Sequence, residues 1–387
     1  MAFYTRLGKL PEKKHCTFYK EDGVSLYREE LFSTKGFSGI YSLRYHEHMP
    51  TEILSITTQS VQEPKLEKDS ALSWRLFHTH RDNSKGDGIK NRRLWLRNED
   101  CSIYTAHVTD QAMYGYKNAI AHELVFVHRG SGFLYSDFGM IQFAAGDYLV
   151  IPKGCIYRLV FDHLSDNRLL LVESKTPFEI PSKYRNEFGQ LQEHAPYSER
   201  DFRTPSELCS HEHLPSQSIV CKAGDVWMLQ EYKHNPFDVV GWEGYEYPYA
   251  FNIKDFSPVV GKIHLPPPVH QVFSTQSFVV CNFVPRLFDF HEHAVPAPYF
   301  HSNVDSDEVI YYVEGDFMSR TGIEEGSVSY HPMGLPHGPQ PGKTENSIGK
   351  KETKEFAVMI DTFSPLQKAE SISKLEDKNY SRSWIQK

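Results

Sequence analysis

Histidines and carboxylates able to bind a metal ion gather in one stretch of the chain: His301, Asp307, Glu308, His331 and His337. Imidazole nitrogens and carboxylate oxygens together are donors for a divalent cation, and the absence of thiolates among them argues against a structural zinc site. The stretch also echoes an earlier one. The first copy reads His122-Glu-Leu-Val-Phe-Val-His-Arg-Gly130 and then Gly146-Asp-Tyr-Leu-Val-Ile-Pro152-Lys-Gly154-Cys-Ile-Tyr157. The second reads Asp307-Glu308-Val-Ile-Tyr-Tyr-Val-Glu-Gly315 and then Gly326-Ser-Val-Ser-Tyr-His331-Pro332-Met-Gly334-Leu-Pro-His337. In each, a glutamate precedes a glycine by seven positions, and Gly-x5-Pro-x-Gly follows. Gly and Pro turns fix strand ends, and the apolar runs between them supply inward-facing side chains.

This spacing resembles the two consensus motifs of the cupin superfamily, and the pair of copies resembles a bicupin. The resemblance implies an all-β fold of two double-stranded β-helix (jelly-roll) barrels with a few short surface helices. His301, Glu308 and His337 stand where cupins hold their metal. Two imidazoles and one carboxylate leave coordination positions open, the arrangement that non-haem Fe(II) oxygenases use for substrate and dioxygen. Asn303 replaces the second histidine of the usual His-x-His pair, which predicts a three-ligand centre. Asp307 competes with Glu308 for the carboxylate role, but Glu308 keeps the seven-residue step to Gly315. In the first copy Tyr157 takes the place of His337, so that barrel is expected to hold no metal, with His122, Glu123, His128 and Tyr157 serving as packing.

Several stretches are similar to the homogentisate 1,2-dioxygenase family. They include Gly36-Phe-Ser-Gly-Ile-Tyr-Ser-Leu-Arg-Tyr45, Asp238-Val-Val-Gly-Trp-Glu243-Gly, Tyr249-Ala-Phe-Asn252, Pro298-Tyr-Phe-His301-Ser-Asn303 and His331-Pro-Met-Gly-Leu-Pro-His337-Gly-Pro. The resemblance implies an Fe(II)-dependent oxidoreductase that opens the ring of homogentisate with O2 to give maleylacetoacetate, in tyrosine and phenylalanine catabolism. It assigns His301, Glu308 and His337 to the iron, Asn303, Tyr299 and Phe317 to the substrate side, and His331 and Glu243 to catalysis. Three departures from the family pattern stand out: one extra residue between His301 and Glu308, Glu243 in place of a histidine, and Phe317 in place of a tyrosine. They leave room for gentisate or a related hydroquinone as substrate. A non-catalytic metal-binding cupin and a metal-dependent isomerase are the readings from other classes. His264, His270, His291 and His293 are expected in loops, with His291 and His293 the reserve candidates.

The elements that must position these groups are short strands. Among 387 residues there are 25 Phe, 22 Tyr, 23 Pro and 24 Gly, a mix suited to strands and tight turns. Residues 183–193 and 366–377 are polar enough for surface helices. The segment 1–236 is expected to form the N-terminal cupin domain, ending in a linker from about 174. Residues 237–365 then form the iron-binding barrel, and 366–387 a tail contributing little core. A formal net charge of −8 argues against a nucleic-acid surface. No apolar run suits a membrane span or signal peptide, and six scattered cysteines suit reduced thiols. The expectation is a cytoplasmic protein that binds neither nucleic acid nor membrane. The family resemblance adds a small aromatic substrate, O2 and a homo-oligomer.

Overall fold

Strand His122–Arg129 is buried along nearly its whole length, as its apolar run from Leu124 to Val127 requires of a strand covered on both faces. It lies between Asp147–Ile151 and Asn167–Ser174, both antiparallel to it. In the computed structural model, which describes residues 3–59, 64–67, 72–315 and 317–385, this trio is the centre of a nine-stranded sheet. A seven-stranded sheet built on Gly132–Ser136, Gly139–Phe143 and Tyr157–Phe161 completes the first barrel, with Leu124, Phe126, Leu134, Phe143 and Tyr157 in one continuous core.

The second barrel repeats the plan. Asp307–Glu314 lies between Ser327–His331 and Phe356–Thr362, with Phe278–Phe283 and Gln271–Ser274 beyond. The echo in sequence is thus an echo in register: Glu123 stands opposite Ile151 and Glu173, and Glu308 opposite His331 and Asp361. The glycine seven residues after each glutamate ends its strand with the same backbone twist, φ +111° at Gly130 and +114° at Gly315. A side chain at Gly130 would meet Asn167 Oδ1 at 2.3 Å.

The two halves lend each other edge strands. Arg75–His78, from the N-terminal part, pairs with Ser327–His331, and Gln367–Lys368, from the tail, pairs with Arg93–Arg97. Each covers backbone groups that an open sheet edge would leave exposed. The expected break at 237 falls inside the N-terminal hydrogen-bonded unit. Val239–Gly244 pairs with Tyr41–His46 in a four-stranded outer sheet, and Tyr249–Asn252 pairs with Asp147–Ile151.

The all-β expectation holds, and Lys343–Ser347 is the only α-helix among the described residues. Neither polar segment forms an α-helix. Residues 182–184 make one 3-10 turn before the chain doubles back through Gly189 to bridge Arg185 with Leu191. Residues 366–377 hold the two-residue strand Gln367–Lys368 and a short 3-10 helix, Glu370–Leu375. The tail also buries more than expected, because Ile372 and Tyr380 are enclosed by the core; its last two residues lie outside the described ones. Among the described residues, no helix is long and apolar enough to cross a membrane.

Candidate metal centre

Strand alternation decides which carboxylate faces the barrel interior. Glu308, Ile310 and Tyr312 fall on one face of their strand and line a cavity of about 430 Å³. Asp307 falls on the other face. It accepts hydrogen bonds from the Tyr330 hydroxyl (2.9 Å), the Met333 amide (2.7 Å) and the Leu366 amide (2.7 Å), so its lone pairs are already engaged in structure. Glu308 is therefore the carboxylate that faces the two histidines.

Those histidines are pinned to one another through the backbone. The His301 amide donates to the His337 carbonyl at 2.9 Å and the His337 amide to the His301 carbonyl at 2.8 Å. Glu308 Oε2 lies 3.9 Å from His301 Nε2, and Oε1 lies 3.4 Å from His337 Nε2. One ligand atom from each of the three residues falls within 4.8 Å of the others. His337 Nε2 is buried with no hydrogen-bond partner. Burial alone would raise the Glu308 pKa, but the three histidines around it, His301, His331 and His337, hold it well below the usual carboxylate range.

His331 is fully buried and does not line the cavity. Burial lowers its pKa to about 4, which keeps the ring neutral at pH 7. A neutral ring has one donor and one acceptor. Nδ1 donates to Glu308 Oε1 at 2.7 Å, and Nε2 accepts from the Tyr380 hydroxyl at 3.1 Å. The tail thus reaches the centre from behind, where Trp384 also packs against Tyr380 and His331.

Asn303, Tyr299 and Phe317 all line the cavity. Glu243 does not. It sits in the outer sheet, where the Tyr4 hydroxyl donates to its Oε2 at 2.5 Å. The strand pairing that places Val239–Gly244 between Thr5–Gly8 and Tyr41–His46 is long-range, with no local signal to reveal it. His264 and His270 line the cavity instead of His291 and His293. The run Leu265-Pro-Pro-Pro-Val269 between them was the available clue, since prolines stiffen a loop and fix where its flanking residues sit. Arg286, Arg320 and Asp361 also line the cavity and were not singled out by sequence.

The first barrel shows what a metal-free version of this register requires. Glu123 and Glu173, in the places of Glu308 and Asp361, are both buried. Arg92 Nη1 donates to Glu123 at 2.6 Å and to Glu173 at 3.2 Å, while Lys222 Nζ donates to Glu173 at 2.7 and 2.8 Å. Tyr157 donates to the remaining Glu123 oxygen at 2.8 Å. Two cations therefore neutralise two carboxylates. The second barrel has no lysine or arginine within ion-pair distance of Glu308 or Asp361 among the described residues. Asp361 Oδ1 is buried without a partner, and burial followed by repulsion from Glu308 raises its pKa to about 8. A buried carboxylate pair and two converging imidazoles, with no lysine or arginine in ion-pair contact, fit a bound divalent metal.

Comparison with known proteins gives the same direction. The description "Homogentisate 1,2-dioxygenase N-terminal" matches residues 94–253, and "Homogentisate 1,2-dioxygenase C-terminal" matches 255–386. A Saccharolobus solfataricus protein named "Putative dioxygenase SSO1533" is 38% identical over 99% of both chains. Homogentisate 1,2-dioxygenases of Rhodopseudomonas palustris strains BisB18 and BisA53 are 30% and 28% identical over 56% and 73% of this chain. Those matches span 49% and 64% of the two enzymes.

Proposed function

Because the chain belongs to the homogentisate 1,2-dioxygenase family, we propose that it is an Fe(II)-dependent ring-cleaving dioxygenase that converts homogentisate and O2 to maleylacetoacetate. The observation that carries this reading is the His301, Glu308 and His337 set, of which His301 and Glu308 line a cavity of about 430 Å³. That volume suits one substituted benzene ring. An Fe(II) ion held by these three residues would supply adjacent positions for phenolate and dioxygen and a site for electron exchange. The chain supplies the rest.

Tyr299 and Phe317 present ring faces and edges to an aromatic substrate. Arg286, on the same wall, supplies a positive charge for an acetate arm. His264 is half-buried in the wall, with its ring centroid 5.0 Å from that of Tyr299. Burial lowers its pKa below 6.5, so it is a neutral base at pH 7 able to take the phenolic proton. The apolar side chains Ile310, Phe283 and Met359 limit water around the ring.

The test is oxygen uptake by the Fe(II)-loaded protein, given homogentisate and then gentisate, with absorbance of the ring-opened product followed in parallel. Uptake with homogentisate at one O2 per product supports the reading. Uptake with gentisate alone would keep the chemistry and change the substrate, while no uptake with either would leave a metal-binding cupin or an isomerase.

A further inference from the structure

A second set of metal-type donors lies outside the barrel centre. His78 ends the edge strand Arg75–His78, His80 sits in the 3-10 turn that follows, and Glu324 precedes strand Ser327–His331 of the second barrel. One ligand atom from each falls within 4.8 Å of the others. They are held there by backbone structure. Ser327 pairs with His78 across the strands, the Thr79 hydroxyl donates to the Gly326 carbonyl, and a Cβ at Gly326 would sit 3.4 Å from that of His80.

The hydrogen bonding around these groups is unresolved in a particular way. His80 Nε2 lies 2.7 Å from Glu324 Oε2 and also 3.2 Å from Arg81 Nε, which can only donate. If Nε2 accepts from Arg81 it has no proton to offer Glu324, and two lone pairs face each other at 2.7 Å. The ring's proton is then on Nδ1, which is buried without a partner; Nδ1 of His78 is likewise buried and unpartnered. Arg81 meanwhile places Nη2 2.6 Å from the other Glu324 oxygen. Its guanidinium thus touches both His80 and Glu324, with a side chain 54% exposed and able to swing outward. Above the group is an open pocket whose rim includes Lys374, Asp377 and Lys378.

We propose that His78, His80 and Glu324 form a second divalent-cation site, suited to Zn2+, in which Arg81 stands in for the metal when none is bound. Two imidazoles and one carboxylate are a donor set for zinc, with water completing the coordination. A cation between His80 Nε2 and Glu324 Oε2 removes the lone-pair conflict, and Arg81 moves out to solvent. The site would link the borrowed edge strand Arg75–His78 to the loop that leads into strand Ser327–His331 of the second barrel. It is independent of the function proposed above. Lys374 and Lys378 at the rim weaken binding without blocking it.

The experiment is equilibrium dialysis of the chelator-stripped full-length protein against Zn2+, with metal measured by mass spectrometry and folding checked by thermal unfolding. Glu324→Gln and His80→Ala should each bind one zinc fewer per chain than the unaltered protein. That equivalent differs from the one lost in His301→Ala, so a double variant loses both. Arg81→Gln should do the opposite and tighten the same equivalent by about two- to fivefold, the range expected on removing a competing exposed ion pair. Unchanged zinc stoichiometry in Glu324→Gln and His80→Ala would overturn the site. So would loss of zinc in Arg81→Gln, since that would make Arg81 a structural support of the loop. Even if Glu324→Gln folds poorly, the gain of affinity in Arg81→Gln still decides the matter.

Discussion

His331 holds Glu308 from behind: its Nδ1 lies 2.7 Å from Glu308 Oε1, while the same oxygen is 3.4 Å from Nε2 of His337. One carboxylate oxygen therefore faces both buried His331 and His337, the histidine proposed as a metal ligand. Tyr380 fixes the His331 ring at its other nitrogen. The tail is thus linked to Glu308 through a chain of two hydrogen bonds.

Replacing a ligand and replacing its support should be distinguishable. His337→Ala removes a donor and should abolish stoichiometric metal while leaving the thermal unfolding transition cooperative. His331→Gln leaves all three donors and should weaken metal retention roughly 10–100-fold, the usual cost of losing an orienting partner. Metal content after dialysis against graded chelator measures both. Full retention in His331→Gln would mean that Glu308 is positioned by its strand alone.

The first barrel predicts a stability effect at the equivalent register. Arg92 is the countercharge of both Glu123 and Glu173, and its Nε and Nη2 are buried without partners. Arg92→Met keeps the side-chain length and leaves Glu123 in the core without a countercharge, while Glu173 keeps Lys222. Breaking a buried ion pair from one side costs about 3–5 kcal/mol, so urea unfolding should shift to markedly lower denaturant. An added divalent metal that restored the loss would mean the first barrel is a metal site with an arginine plug.

How much of this was legible in sequence depends on the range of the interaction. The Glu-to-Gly step and the Gly-x5-Pro-x-Gly frame are local, set by strand length and turn geometry, and they located His301, Glu308 and His337 together with both barrels. Asp307 against Glu308 was also decidable in principle, because alternation along one strand puts only one of them inside. Glu243 failed for a different reason. Its position depends on a strand pairing with Tyr41–His46, some two hundred residues away in sequence, and no spacing rule carries that information. The same holds for the tail, whose polar composition concealed Ile372 and Tyr380, and for Arg92, which looks like a surface residue until the barrel closes around it.

Acid stability should depend on the outer sheet. Glu30 Oε2 lies 2.6 Å from Arg44 Nη2 and 2.9 Å from His46 Nε2, and Arg44 also pairs with Asp137 of the first barrel. Burial would raise the Glu30 pKa, but Arg44 and His46 outweigh it and bring it from 4.5 to about 2. A carboxylate with a depressed native pKa binds fewer protons folded than unfolded. Its stabilisation is therefore complete above pH 4.5 and is lost as pH falls toward about 2. Glu30→Gln should lower stability by roughly 1–3 kcal/mol at pH 6 and flatten the fall between pH 4.5 and 2. Equilibrium unfolding at several pH values measures it, and parallel curves for the two proteins would refute the assignment.

Proton handling during turnover should follow cavity geometry rather than aligned position. Glu243 is bonded to Tyr4 in the outer sheet, whereas His264 lines the cavity beside Tyr299. Glu243→Gln should therefore turn over homogentisate at close to the unaltered rate. His264→Asn keeps a hydrogen-bonding side chain but removes the base, and should lower kcat by about 10²–10⁴-fold with metal content unchanged. The sign of the pH effect follows from burial, which disfavours the imidazolium: the base stays unprotonated until pH falls below 6.5, so the acidic limb of the rate profile lies under that value. Loss of that limb in His264→Asn, with Glu243→Gln keeping it, assigns the proton to His264. The reverse pattern would require the outer sheet to open and bring Glu243 to the substrate, which hydrogen exchange along Val239–Gly244 during turnover would detect.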